Sequence, residues 1–180
     1  MELLYNCKKG CLIFLRVYNL FLVVIKYKKG KFLGLNRKNA GFISLKLPKN
    51  IRYDKFIISN TSGDVTINNG LNSRMVRINS VSGDVNFDNI DCNNIKISVV
   101  SGDITGLSIN GLNVYVDSVS GDMTVNIINC DDLSLSSISG DFNISHVKAN
   151  IKASTVTGDI LVNNETVGAN VKNTIKGLFR

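Results

Sequence analysis

The chain has 180 residues, 44% of them hydrophobic, and its 21 Lys and Arg against 14 Asp and Glu give a formal net charge of +7. A single histidine, His146, excludes a histidine-rich metal spacing, and neither a nucleophile elbow that would point to an ordinary nucleophile–histidine–acid triad nor a glycine-rich phosphate loop is present. No enzyme activity and no cofactor is therefore expected, and the positive charge turns attention to anionic partners.

The charge is concentrated at the start. Residues 1–56 carry thirteen Lys and Arg against Glu2 and Asp54, a net of +11, whereas residues 57–180 carry eight against twelve, a net of −4. Lys26, Lys28, Lys29, Lys31, Arg37 and Lys38 are the candidate contacts to an anionic membrane surface or an envelope polymer. The competing reading is a strand edge whose lysines deter sheet-to-sheet aggregation. Tyr27 and Phe32 interleave with the lysines and could stack on bases, but no nucleic-acid module accompanies them, so that partner is disfavoured.

Residues 11–25 form the one membrane candidate. The run is fifteen residues long, contains Arg16 and Asn19, and falls short of the ~20 apolar residues of a spanning helix. No small-residue cleavage site follows, because Ile25 runs straight into Lys26-Tyr27-Lys28-Lys29. Its Val, Ile, Phe and Tyr content suits a buried strand. Without a clear signal peptide or spanning helix, the expected location is cytoplasmic or peripheral to the envelope. Residues 1–19 are left unassigned.

From residue 62 a tripeptide recurs: Ser62-Gly63-Asp64, Ser82-Gly83-Asp84, Ser101-Gly102-Asp103, Ser120-Gly121-Asp122, Ser139-Gly140-Asp141 and the variant Thr157-Gly158-Asp159, with steps of 20, 19, 19, 19 and 18 residues. A fixed period of this length marks a solenoid, whose coils bury their apolar faces only by stacking. Val81, Val100, Val119, Ile138 and Val156 open their coils. After the turn comes an apolar-polar-apolar triplet, as in Val85-Asn86-Phe87, Met123-Thr124-Val125, Phe142-Asn143-Ile144 and Ile160-Leu161-Val162. About eight residues later a second follows, as in Ile95-Lys96-Ile97, Val114-Tyr115-Val116 and Leu133-Ser134-Leu135. Alternation with period two predicts strands with one buried face, and the Asn, Asp, Ser and Gly between them predict corners.

Stacked corners place Asp64, Asp84, Asp103, Asp122, Asp141 and Asp159 in a file. Carboxylates ~4.8 Å apart repel by on the order of 1 kcal/mol even in water, so something must offset this. Acceptance of amide bonds within each Asp's own turn is the favoured account, and cation binding the alternative. Cys92 and Cys130 lie 38 residues apart, with Gly111 in the same phase between them. They are expected two coils apart, beyond the ~7 Å reach of a disulfide, as small core residues. His146 is expected on the surface.

The repeated [Val/Ile]-Ser-Gly-Asp-apolar pattern, preceded by Leu47-Pro48-Lys49-Asn50 and Tyr53-Asp54-Lys55-Phe56-Ile57-Ile58, resembles a bacterial adhesin-labelled domain family of unknown function, found in Gram-positive cell-envelope proteins. The likeness covers roughly residues 20–180. It implies a β-solenoid, no catalytic residues and, as in some members, association with membrane-anchored or envelope-stress systems.

The expected architecture is a single all-β domain, a right-handed parallel β-solenoid (β-helix) of about 19 residues per coil and roughly seven coils. Residues 20–60 supply entry strands and the N-terminal cap, 61–171 the repeat coils and 172–180 the C-terminal cap. A non-enzymatic adhesin-like scaffold or binding protein, docking on an envelope surface, on a protein partner or on itself, is the expected function. A glycan-active β-helix enzyme and a nucleic-acid binder are the rivals.

Overall fold

In the computed structural model, the described backbone comprises residues 2–7, 13–18, 41–46, 51–163, 165–167 and 173–175, with side chains described for 51–163. The chain begins with β1 (Glu2–Cys7), β2 (Ile13–Tyr18) and β3 (Gly41–Lys46). The coils comprise β4 (Tyr53–Ser62), β5 (Asp64–Asn68), β6 (Leu71–Ser82), β7 (Val85–Ser101), β8 (Ile104–Asn110), β9 (Asn113–Ser120), β10 (Met123–Ser139), β11 (Phe142–Thr157) and β12 (Ile160–Val162). The last described strands are β13 (Glu165–Val167) and β14 (Asn173–Ile175). No helix occurs among the described residues.

The strands form a parallel β-solenoid of about six turns with ~19 residues per turn. On one side β4, β6, the second half of β7, β9 and the second halves of β10 and β11 follow one another in parallel. On the other side run β5, the first half of β7, β8, the first halves of β10 and β11, and β12. Six coils lie in the described residues rather than the seven expected. The seventh was to be the Leu47-Pro48-Lys49 entry, and residues 47–50 fall outside the description.

Alternation drives these elements. Along most of each strand every second residue turns inward and stacks on its equivalent one coil away, as in the buried file Phe56, Val76, Ile95, Val114, Leu133 and Ile151. A second buried file, Val65, Val85, Ile104, Met123, Phe142 and Ile160, follows the Ser-Gly-Asp corner. Each such side chain contributes roughly 1.5–3 kcal/mol by leaving water. Within β8 and its equivalents the alternation changes phase. Leu107 and Ser108 follow one another without either being buried, Ile109 is buried again, and the ladder to β10 skips Leu107.

Both ends of the parallel stack are closed by antiparallel strands. β1 pairs with β5, aligning Leu3 with Ile67, and β2 pairs with β4, aligning Leu15 with Ile58. β3 lies one strand further out, against β1. The first coil is thus covered directly by strands from residues 1–19, which the sequence left unassigned, and of the part of the expected 20–60 cap that precedes the coils only this outer strand is described. An antiparallel strand satisfies the open amides and carbonyls of an edge as well as another coil would, and the repeat carries no signal for it. At the other end β13 pairs with β12, and β14, within the expected 172–180 cap, pairs with β11.

Within residues 11–25, Ile13–Tyr18 is strand β2, as its composition predicted; positions 19–25 fall outside the described residues. No described helix is long and apolar enough to cross a membrane. Lys26, Lys28, Lys29, Lys31, Arg37 and Lys38 also lie outside the described residues.

Candidate functional site

The Ser-Gly-Asp corner is the most regular external feature of the described coils. Ser62, Ser82, Ser101, Ser120, Ser139 and Thr157 pair in register down the stack. Each following glycine sits on the carbonyl of the glycine one coil earlier. A Cβ on Gly83 would lie 2.1 Å from the Gly63 oxygen, and one on Gly102 would lie 2.4 Å from the Gly83 oxygen. Both have positive φ, +138° and +151°, so strain and collision together demand glycine.

Three of the glycine carbonyls accept a hydrogen bond from inside. Asn60 Nδ2 donates to the Gly63 oxygen, and Ser80 Oγ and Ser118 Oγ donate to Gly83 and Gly121 at 3.1 Å each. These donors belong to a file of mostly polar buried residues, Asn60, Ser80, Val99, Ser118, Ser137 and Thr155. Ser137 Oγ is buried without a hydrogen-bond partner.

The aspartates form the expected file, with a different bonding pattern. Oδ1 of Asp64 accepts the backbone N–H of Asp84 at 3.1 Å, and Asp84, Asp103, Asp122 and Asp141 do the same for the next Asp at 3.0, 3.0, 2.9 and 2.7 Å. The bonds run between coils rather than within each turn. The corner explains this. The N–H of the residue after each Asp continues the ladder, as Val65 does to the Asp84 carbonyl at 2.8 Å, while the Asp N–H is served by the carboxylate of the coil before. A charge-assisted bond of this kind is worth roughly 1.5–3 kcal/mol and offsets the repulsion along the file. Among the described residues no group of three or more His, Cys, Asp or Glu is arranged to hold a metal ion.

Immediately before the serines runs a third file that the sequence presented only as the first residue of each coil. Val81, Val100, Val119, Ile138 and Val156 are 49, 45, 42, 55 and 62% exposed, although apolar and β-branched. The available signal was a Val or Ile next to the corner in five successive turns. On one flank lie the exposed serines; on the other lies the file Asn79, Ser98, Asp117, Ser136 and Ser154, in which Lys96 pairs with Asp117 at 2.7 Å. A shallow groove of about 320 Å³ follows Val81, Val100 and Val119.

The remaining candidates are dispersed. His146 is exposed and aligned with Ile127. Cys92 is buried, Cys130 is half-buried against the core, and both are free thiols. Burial pushes the Cys92 thiol up to about 12, helped by Asp91 and Cys130, and burial with Asp131 and Asp132 does the same for Cys130. Asp131 and Asp132 themselves are exposed.

Residues 22–176 match the sequence model of a family described as Toastrack DUF4097. No curated protein and no solved structure matches the chain.

Proposed function

The chain belongs to the Toastrack DUF4097 family, a domain family of unknown function, and on that premise we propose that it is a non-enzymatic, adhesin-like scaffold of the bacterial cell envelope. Its coils present repeated files to a partner, and its basic N-terminal portion, including Lys26, Lys28, Lys29, Lys31, Arg37 and Lys38, faces an anionic surface. The observation that carries this reading is the equivalence of the corner. The same apolar, serine and aspartate positions recur coil after coil, and the first five aspartates are tied to the next coil's amide. A glycan hydrolase needs two carboxylates in unlike environments in one cleft, whereas repetition makes these carboxylates alike.

Co-sedimentation with vesicles tests the surface half of the proposal. The full chain is compared with a variant carrying Lys26→Gln, Lys28→Gln, Lys29→Gln and Lys31→Gln, on anionic and neutral vesicles, at low and high salt. Substitution is preferred to truncation because removing the N-terminal residues would also strip β1 and β2 from the first coil. The expected result is binding of the parent to anionic vesicles only, weakened by salt and by the substitutions. Equal binding to neutral vesicles, or none by the parent, overturns membrane docking.

A further inference from the structure

We propose that the exposed file Val81, Val100, Val119, Ile138 and Val156 is a self-association surface, on which a second copy of this chain packs side by side with its coils running in the same direction. A solvent-facing row that is Val or Ile in five consecutive coils, between neighbours that are mostly Ser and Asn, is the kind of contiguous apolar patch that marks an interaction site.

The repeat distance selects the partner. The rows recur every ~4.8 Å, the spacing of hydrogen-bonded strands. An α-helix laid along the file offers a turn every ~5.4 Å and drifts by about half a row over the five residues. An extended strand along it offers same-face residues every ~6.6–6.8 Å and loses step after two. A second solenoid has the same spacing and meets the file row for row.

The flanks select the orientation. A twofold axis across the stack would set one copy's aspartate file against the other's, placing like charges in rows. A twofold axis along the stack instead lays each aspartate file over the partner's Asn79, Ser98, Asp117, Ser136 and Ser154. These offer amide and hydroxyl donors, and their one carboxylate is already held by Lys96. Five partly exposed side chains supply well under the ~800 Å² per partner of a standard interface, so the pair forms only at elevated concentration. In this arrangement both N-terminal ends lie at the same end of the pair.

Sedimentation velocity of the full chain between about 5 and 200 μM, alongside a variant with Val100→Ser, Val119→Ser and Ile138→Ser, tests the interface. The parent should dimerise with concentration, and the variant, melting like the parent because these sites are exposed, should bind itself at least ~tenfold more weakly. A parent that stays monomeric, or a folded variant that dimerises equally, overturns the proposal. Orientation is read with a short bis-maleimide on Val81→Cys and Val156→Cys, with the parent as background. Parallel packing gives dimers from each variant alone. Dimers only from a mixture of the two, or from neither, overturn it.

Discussion

The ring of Phe87 occupies the space that a side chain on Gly106 would need: a Cβ there would lie 2.1 Å from Cε2 and 2.2 Å from Cζ. The two are aligned in the buried file Ile67, Phe87, Gly106, Val125, Ile144 and Val162, so one oversized residue is matched by an absent one on the next coil. Gly106→Val is expected to cost ~1–3 kcal/mol or more by overpacking, and Phe87→Val about 2–4 kcal/mol by leaving a cavity. The double variant Phe87→Val with Gly106→Val restores the volume. Urea unfolding should show it at least ~1 kcal/mol more stable than the two single losses combined; simple additivity would contradict the packing argument.

Gly102 tests the corner. Its Cβ position is 2.4 Å from the Gly83 oxygen and its φ is +151°, so Gly102→Val should lower stability by at least ~2 kcal/mol. A variant melting at the parent temperature would refute the stacked-carbonyl account.

Asp103 links two coils, accepting from Asp122 N–H at 3.0 Å and donating its own N–H to Asp84 at 3.0 Å. Asp103→Asn keeps an acceptor oxygen and removes a charge from the file, so thermal melts at low salt should match or exceed the parent. Asp103→Ala abandons the Asp122 amide and should cost ~1 kcal/mol or more. Equal melting of the Asn and Ala variants would show that the inter-coil bond contributes nothing.

Ser118 and Ser137 occupy equivalent buried positions, but only Ser118 bonds a glycine carbonyl. Ser118→Ala is expected to cost ~1 kcal/mol, whereas Ser137→Ala should be neutral or slightly stabilising. Chemical denaturation of the pair decides it, and equal losses would mean that both hydroxyls are satisfied.

The thiols of Cys92 and Cys130 are both pushed up to about 12, from 9.0. Between pH 9 and about 12 the folded state therefore holds protons that the unfolded state has lost, so stability present below pH 9 falls as pH rises through that window. Cys92→Ala should flatten part of this decline in denaturation curves measured from pH 8 to 11. Peptide mapping after iodoacetamide treatment at pH 8 should find Cys92 unmodified unless the protein is unfolded first. Rapid labelling of native Cys92 would contradict its burial.

The period of the Ser-Gly-Asp turns determined most of this fold by itself. Alternation within each 19-residue unit names Val85, Ile95, Val114 and Leu133 as inward-facing, because a strand's side chains alternate and stacked coils share one register. The same register foretold an aspartate file and two cysteines kept apart, and both are present.

What the repeat could not carry was decided by tertiary structure. The acceptors of the Asp amides are one coil away, so nothing local in Ser-Gly-Asp reveals that the bonds cross between turns. Ile104-Thr105-Gly106 breaks the apolar triplet, and only its neighbour Phe87 explains why. The N-terminal cover was illegible for the same reason: β1 and β2 lie outside the repeat, and antiparallel pairing to β5 and β4 is a long-range choice of edge. The outward turn of Val81, Val100, Val119, Ile138 and Val156 is likewise a matter of backbone phase at the corner. A β-branched residue there reads the same in sequence whether it faces core or water.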